Sequence, residues 1–521
     1  MTYPTLTTDD GRETRSVTLA VFAPFGTDET LSTYPEGASQ DLTQHPLFEN
    51  LLKVAEQGMH VLALIDRAGH DTLLVRIPAG QPGAVTVESR WKQDMSAPNT
   101  LAGLLHEAWL WQPDSAIVLT LEGHGAGYLP EIDRRKLSVT NITDHGKVVW
   151  KIGVMDESPT LPLGSPILPL GSPILPLGSP ILPLGSPILP MNHMPISTWG
   201  MGRALQTAGV PKLAVIHFNN CFNMSAELLH TIAPYADFAA GYPNYNFFTA
   251  GAAYPTLFAR LNAAGGASSA QLARWFAEGN RDVLAAKGNH PTTGCAVHLA
   301  AMHDVTEKLD DLADALLSAL RIAPNASDVR NEIQQAIIRA QQYDTEAGLP
   351  LETPDELTDL CSFAQALTAV NLPAHYNIAA LAQGLVNALN GVKVYGENDH
   401  PWIDPSVRWN FSETTLAMNI FLPDPLLRGL WDWRSPYYLD VNPDPAKPAV
   451  QPAIIDFLQV TDWVDFLIEY HKDTPFLGLL PAAIPEFPVF NARFEPPDQP
   501  SDSSPASDHH DRPDQPSQMA Q

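Results

Sequence analysis

Short apolar runs, each closed by a proline, glycine or acidic residue, recur along the first half of the chain. VTLAVFAP (17–24), MHVLALID (59–66), DTLLVRIP (71–78), SAIVLTLE (115–122) and KLAVIHF (212–218) are too short for stable helices and rich in β-formers, so they predict buried strands. Residues 46–57, 100–112 and 196–208 instead carry apolar positions at helical spacing. In 100–112, Leu101, Leu104, Leu105 and Trp109 fall on one face. Another helix is expected from about Ser225. Strands alternating with helices predict an α/β fold, a mostly parallel sheet with helices on both faces. Sites in such sheets lie beyond the carboxyl ends of the strands. After about residue 300 the pattern turns mainly helical, over 305–321, 326–342, 355–370 and 376–390. A late strand at 415–422 and a last helix at 462–471 complete it.

Three stretches fall outside that pattern. Residues 1–16 are polar and read as a flexible N-terminus. Residues 161–188 are four identical copies of LPLGSPI. Proline recurs too often there for a helix or a central strand, and a period of seven is too short for helix-pair or blade repeats. Polyproline II with turns at Gly-Ser-Pro is the expected state. The repeat reads either as an expansion tolerated in a surface loop or as a gate, tether or partner ligand. From 496 to 521 the chain is Pro, Ser, Asp and Gln with almost no apolar residues, which predicts a disordered tail. The resulting layout is an α/β domain over 17–300 with an insert at 131–193, a helical region over 301–480 and the tail.

Charge narrows the function classes. The 521 residues include 30 basic and 58 acidic side chains, a formal charge of −28. Such a surface repels nucleic acid and anionic membrane, so neither is expected as a partner. No apolar run approaches the roughly 20 residues of a membrane span, and the polar N-terminus lacks a secretory pattern. A cytoplasmic location is expected. The three cysteines, Cys221, Cys295 and Cys361, make no disulfide framework, and no Cys/His cluster has metal spacing.

The candidate chemistry sits at two strand ends. Gly123-His124-Gly125-Ala126-Gly127 follows SAIVLTLE, and Asn219-Asn220-Cys221 follows KLAVIHF. Both project from one edge of the predicted sheet. A thiol, an imidazole to manage the proton and backbone donors for an oxyanion are what thiol catalysis needs. A glycine beside the histidine lets a carbonyl approach closely. The N–H groups of Gly125 and Cys221 are the natural oxyanion donors, and the helix after Cys221 is expected to favour thiolate. Taken singly, a strand-end cysteine is more often a buried hydrophobe than a catalyst. His217, inside its strand, reads as a core histidine.

A strand ending in His-Gly, a helix, then a strand ending in x-x-Cys resembles the caspase-like peptidases. LAVIHFNNCFNMSAELLHTIAPY resembles their clostripain branch, with Met224 and a glutamate, Glu227, six residues past the cysteine. VFAPFGTDETL, HVLALIDRAG, GCAVHLAAMHDVTEKLDDLADAL, DELTDLCSFAQAL, TTLAMNIFLPDP and TDWVDFLIEY resemble further pieces of that family, extending the likeness over about 17–470. The resemblance implies a caspase-like fold, cysteine endopeptidase activity, a Cys221/His124 dyad, a peptide or protein substrate, and maturation by internal cleavage. Candidate cut positions are Arg135, Lys136, Lys147 and Lys151, in a segment that would cover the cleft until cut or displaced. No cofactor is expected to be required; the resemblance leaves open calcium, which assists some relatives, and an activating protein, and the sequence has no EF-hand loop.

Two features depart from the family pattern. Asn219 stands where relatives carry an aspartate that helps bind a basic P1 side chain, so an uncharged P1 residue is expected. Asp237 is the other candidate for the substrate pocket. The repeat is the second departure. A catalytically silent binding or scaffold module, another thiol enzyme such as an amidase or transpeptidase, and a carrier for the repeat remain competing readings.

Overall fold

The computed structural model describes residues 4–27, 29–32, 41–67, 70–90, 93–125, 127–131, 137–144, 147–154, 196–244, 246, 248–287, 292–343, 357–399, 418–424, 434–439, 454–472, 474 and 489–490. The LPLGSPI repeat, the tail, Arg135 and Lys136 lie outside them. Nine strands form one sheet: β1 Val17–Pro24, β2 His60–Asp66, β3 Thr72–Ile77, β4 Thr86–Arg90, β5 Ala116–Glu122, β6 Leu213–Asn219, β7 Ala236–Gly241, β8 Thr292–His298 and β9 Lys393–Asp399, in the spatial order β9-β8-β7-β6-β5-β1-β2-β3-β4. The five central strands, β7 to β2 in that order, are parallel. The outer four are antiparallel to their neighbours. At the β2 end the reason is chain length: the links around β3 are too short for a crossover, so each strand turns back on the last.

Helices cover both faces, as the α/β pattern predicts. α1 Pro46–Glu56, α5 Tyr254–Ala264 and α6 Ser269–Lys287 pack on one. α2 Pro98–Trp111, α3 Thr198–Ala208 and α4 Ala226–Ile232 pack on the other. The strands feed both layers by alternation: in β1, Ala20 and Phe22 join the second layer, while Leu19, Val21 and Ala23 join the first. The later helices α7 Met302–Ile322, α8 Ala326–Arg339, α9 Leu360–Thr368, α10 Ile378–Val392 and α11 Trp463–His471 share the apolar cluster of the second layer.

Differences from the sequence reading have local causes. The N-terminal stretch expected to be flexible contains two strands: Thr5–Thr7 pairs with Gly266–Ser268 and with Glu13–Thr14. The helix expected from 355 begins at Leu360, because Leu357–Asp359 is taken by a two-stranded ladder with Asn419–Phe421. Asp359 then caps the helix, accepting from the Ser362 N–H at 2.6 Å.

Candidate active site

β5 and β6 are adjacent and parallel, and Glu122 and Asn219 are register partners at their ends. His124 and Cys221 each lie two residues beyond that pair. Neighbouring strands are about 4.8 Å apart, so the sheet delivers both residues to one place. The loops then touch. A Cβ built on Gly125 would lie 2.2 Å from the Cys221 carbonyl oxygen, which only glycine permits. Gly123 turns the chain with φ +89°. Gly127 donates to Asn223 Oδ1 at 3.2 Å.

Cys221 is followed by Phe222 with φ 61°, a left-handed conformation costly for a bulky residue. It is held there from two sides. The Phe222 N–H donates to the Asn244 carbonyl at 2.9 Å. The Phe222 carbonyl accepts from Asn419 Nδ2 at 2.8 Å, and the same nitrogen donates to the Pro243 carbonyl at 2.7 Å. Glu227, buried, accepts from the Phe421 N–H at 2.8 Å and from the Tyr438 hydroxyl at 3.0 Å. The glutamate six residues past the cysteine therefore fastens the strand that carries Asn419.

The thiol is enclosed. Cys221 is 8% exposed. Its S–H donates to the Asn246 carbonyl at 3.3 Å, and its Sγ accepts from the Asn246 N–H at 3.4 Å. Burial pushes its pKa up to about 11 against a smaller opposing effect of the Asn246 bond, so in this arrangement it is a thiol and a poor nucleophile. The helix expected to favour thiolate begins only at Ala226. One of its N-terminal donors is served by its own cap: the Ser225 Oγ accepts from the Leu228 N–H at 3.2 Å.

Two pocket candidates are corrected. Asn219 is 2% exposed. Its Nδ2 donates to Glu122 Oε2 at 2.9 Å and to the Thr249 hydroxyl at 3.3 Å, and its Oδ1 accepts from Asn246 Nδ2 at 3.0 Å. It faces inward rather than lining a substrate cleft. Asp237 sits at the start of β7, beside the Leu213 end of β6. Eight residues of strand and loop separate Leu213 from Cys221, roughly 25 Å at about 3.3 Å per residue. Asp237 instead pairs with Lys212 at 3.3 Å and accepts from the Asp9 N–H at 3.2 Å.

A hollow beside the loops is lined by His124, Gly125, Phe22, Leu129, Ile196 and Met201 among others. Its rim joins the two ends of the insert: the Thr198 N–H donates to the Leu129 carbonyl at 2.9 Å, and the Ser197 hydroxyl donates to Glu131. Within the insert, Lys147–Val154 pairs with Leu137–Asp144. Lys151 is paired on both sides, to Thr140 and to Val489, so its backbone is not presented as a free segment for cleavage. Lys147 lies at the hairpin end of the same strand. His217 is buried and stacks on Phe276 with ring centroids 4.6 Å apart, as expected of a core histidine.

Glu122, Asn246, Asn280 and Asn419 were not singled out in the sequence. Glu122 alone had a signal, its place at the end of a strand next to the cysteine strand. The asparagines are brought in by tertiary packing.

The profile of the clostripain family matches residues 191–469, just over half of the chain. The chain belongs to the clostripain family. Membership makes it a cysteine-type endopeptidase of the C11 class. The match contains Cys221 and begins after His124, so the histidine rests on the strand geometry. Among solved structures, the chain is similar to a secreted C11 cysteine protease of Bacteroides thetaiotaomicron in complex with an irreversible peptide inhibitor, at 13% identity, covering 86% of this chain and 99% of that one with a TM-score of 0.48. It is also similar to an inactive zymogen C11 protease of Parabacteroides distasonis, at 13% identity, 82% and 96% coverage and a TM-score of 0.46. These likenesses are distant, and the family match carries the assignment. No curated protein matches the sequence.

The contact between Gly125 and Cys221 makes a clear expectation. Gly125→Ala forces one loop away from the other, and kcat/KM should fall by about two orders of magnitude together with a lowered melting temperature. Steady-state kinetics and a thermal melt on the same preparation check it. An alanine variant with wild-type turnover would mean that this contact has no bearing on catalysis.

Proposed function

We propose that this clostripain relative hydrolyses peptide bonds with Cys221 as nucleophile and His124 as the proton donor to the leaving amine. The observation that carries the reading is the register pair Glu122–Asn219, which places both residues the same distance past adjacent parallel strands. His124 takes the thiol proton as the sulfur attacks the scissile carbonyl carbon, the N–H groups of Gly125 and Cys221 receive the developing oxyanion, and the amine leaves with that proton from His124. Water then hydrolyses the thioester. The thiol must first be uncovered, because the Asn246 backbone occupies it.

The insert over 131–193 supplies a means of control. Its two ends meet on the rim of the His124 hollow, so cleavage within it, or displacement by an activating protein, would act next to the dyad. Asn219 brings no charge and spends its polar atoms internally, which supports an uncharged P1 residue. Cutting at Arg135, Lys136 or Lys147 would then be the work of a second peptidase with basic specificity. Among the described residues no group of three or more His, Cys, Asp or Glu side chains is gathered as for a metal, and no step is routed through calcium. The buried thiol also supports a second reading, a silent scaffold whose cysteine never opens.

Fluorogenic peptides differing only at P1, assayed before and after limited trypsin treatment, separate the cases. Uncharged P1 residues should be turned over at least about tenfold faster than Arg or Lys, and faster after the cut. A profile led by Arg or Lys would refute the uncharged pocket. No turnover in either state, with Cys221 unlabelled by a peptidyl alkylating agent, would leave the scaffold.

A further inference from the structure

Beneath the two loops lies a connected set of buried polar groups that the reaction as proposed does not use. Glu122 is 1% exposed. One carboxyl oxygen accepts from the Tyr254 hydroxyl, and the other from Asn219 Nδ2 at 2.9 Å. Asn219 Oδ1 accepts from Asn246 Nδ2 at 3.0 Å. Asn246 Oδ1 accepts from Asn280 Nδ2, and Asn280 Oδ1 from the Thr249 hydroxyl, both at 2.8 Å. Asn246 is also the residue whose backbone holds Cys221 Sγ.

An amide has a donor end and an acceptor end, so each asparagine passes its orientation to the next. What fixes the series is the acceptor at position 122. Asn219 can point its nitrogen toward β5 only if an oxygen waits there. With that nitrogen so placed, its oxygen faces Asn246, and Asn246 is set against the sulfur.

We propose that Glu122 is a positioning residue for Cys221, acting through Asn219 and Asn246 to fix the backbone that flanks the thiol. The inference rests on Cys221 being the nucleophile. Either protonation state of the carboxyl keeps the series intact. With a proton on Glu122, its O–H donates to the Tyr254 oxygen, whose own hydrogen turns to His217 Nδ1, 3.3 Å away. The bond from Asn219 survives. The groups facing this carboxyl are Asn219 from β6 and Tyr254 from α5, with Thr249 and His217 one bond further, and none of them is a cation at neutral pH.

Glu122→Leu and Glu122→Gln, made in the full chain, test the proposal by hydrogen exchange and by kinetics. In Glu122→Leu the amides over 242–250 should exchange about tenfold faster, with β5 and β6 unchanged. Because the Asn246 backbone covers Sγ, loosening it uncovers the thiol, and kcat should rise by about tenfold while KM stays within about threefold. In Glu122→Gln the side-chain oxygen still accepts from Asn219 and its nitrogen donates to Tyr254, so exchange and kcat should return to within about threefold of wild type. Asn246→Ala breaks the same series from the sulfur side and should match the leucine variant, which keeps the test decisive if Glu122→Leu does not fold. Unchanged exchange over 242–250 in Glu122→Leu or Asn246→Ala overturns the proposal, as does failure of glutamine to restore. A wild type that hydrolyses no peptide would refute the peptidase reading instead, and the exchange measurements stand apart from it.

Discussion

Cys221→Ala should lower peptide turnover by roughly four orders of magnitude or more, the scale seen when a covalent nucleophile is removed and only binding and oxyanion donors remain. No other cysteine can take its place. Cys295 lies within β8 and Cys361 within α9, and both are buried. The loss of stability should be small by comparison, about 1 kcal/mol, because the sulfur makes two long bonds to one residue and Cβ still packs. Deleting His124 should leave more residual rate, since removal of a general acid typically costs about 10²–10⁴-fold. The comparison calls for kcat/KM on one peptide alongside a denaturation curve for each variant. Turnover by Cys221→Ala within tenfold of wild type would remove the cysteine from the mechanism.

The second large effect concerns pH. Burial pushes the Glu122 carboxyl up from an ordinary 4.5 to about 7, against the smaller opposing effects of its bonds from Tyr254 and Asn219. Between those two values the native chain keeps a proton that the unfolded chain has released. Stability from this group is therefore complete below pH 4.5 and is lost as pH rises through 7. A difference of about 2.5 pH units corresponds to about 3 kcal/mol. Glu122→Gln removes the titration, so its stability relative to wild type should be about 3 kcal/mol more favourable at pH 8 than at pH 4.5. Any constant change in hydrogen bonding cancels in that difference. So does His217, whose pKa burial lowers to about 3 and which acts in the opposite sense, destabilising the native chain as pH falls below 6.5. Urea unfolding of the two proteins across pH 4.5–8 measures the difference, and a flat line would show that Glu122 is ionised alike in native and unfolded chains.

The parts of the site that could be read from sequence were those set by one strand at a time. SAIVLTLE and KLAVIHF are continuous apolar runs because both faces of a central parallel strand are covered. Their ends mark His124 and Cys221. Asn219 was legible as a position and misleading as a function, since its role depends on Glu122 across the ladder. Asp237 failed for a related reason: its strand was not delimited, and the residue lies at the end away from the chemistry. α5 went unrecognised because Ala- and Gly-rich sequence from 249 to 270 blurs helical periodicity. The clamp by Asn419, about two hundred residues downstream of the loop it holds, leaves no local trace at all.

The order of the strands has a bearing on what a cut in the insert would produce. β1 to β5 lie on one side of the β5–β6 ladder and β6 to β9 on the other. A break anywhere between Glu131 and Ile196 divides the polypeptide along that seam, with the imidazole on one product and the thiol on the other. Neither product is a domain. Each would expose a long, apolar, unpaired central strand, and each carries part of both helical layers, the first product only α1 and α2. The severed chain would therefore persist as a heterodimer of complementary parts, joined by the same register that brings His124 and Cys221 to adjacent strand ends, and its activity would belong to neither part alone.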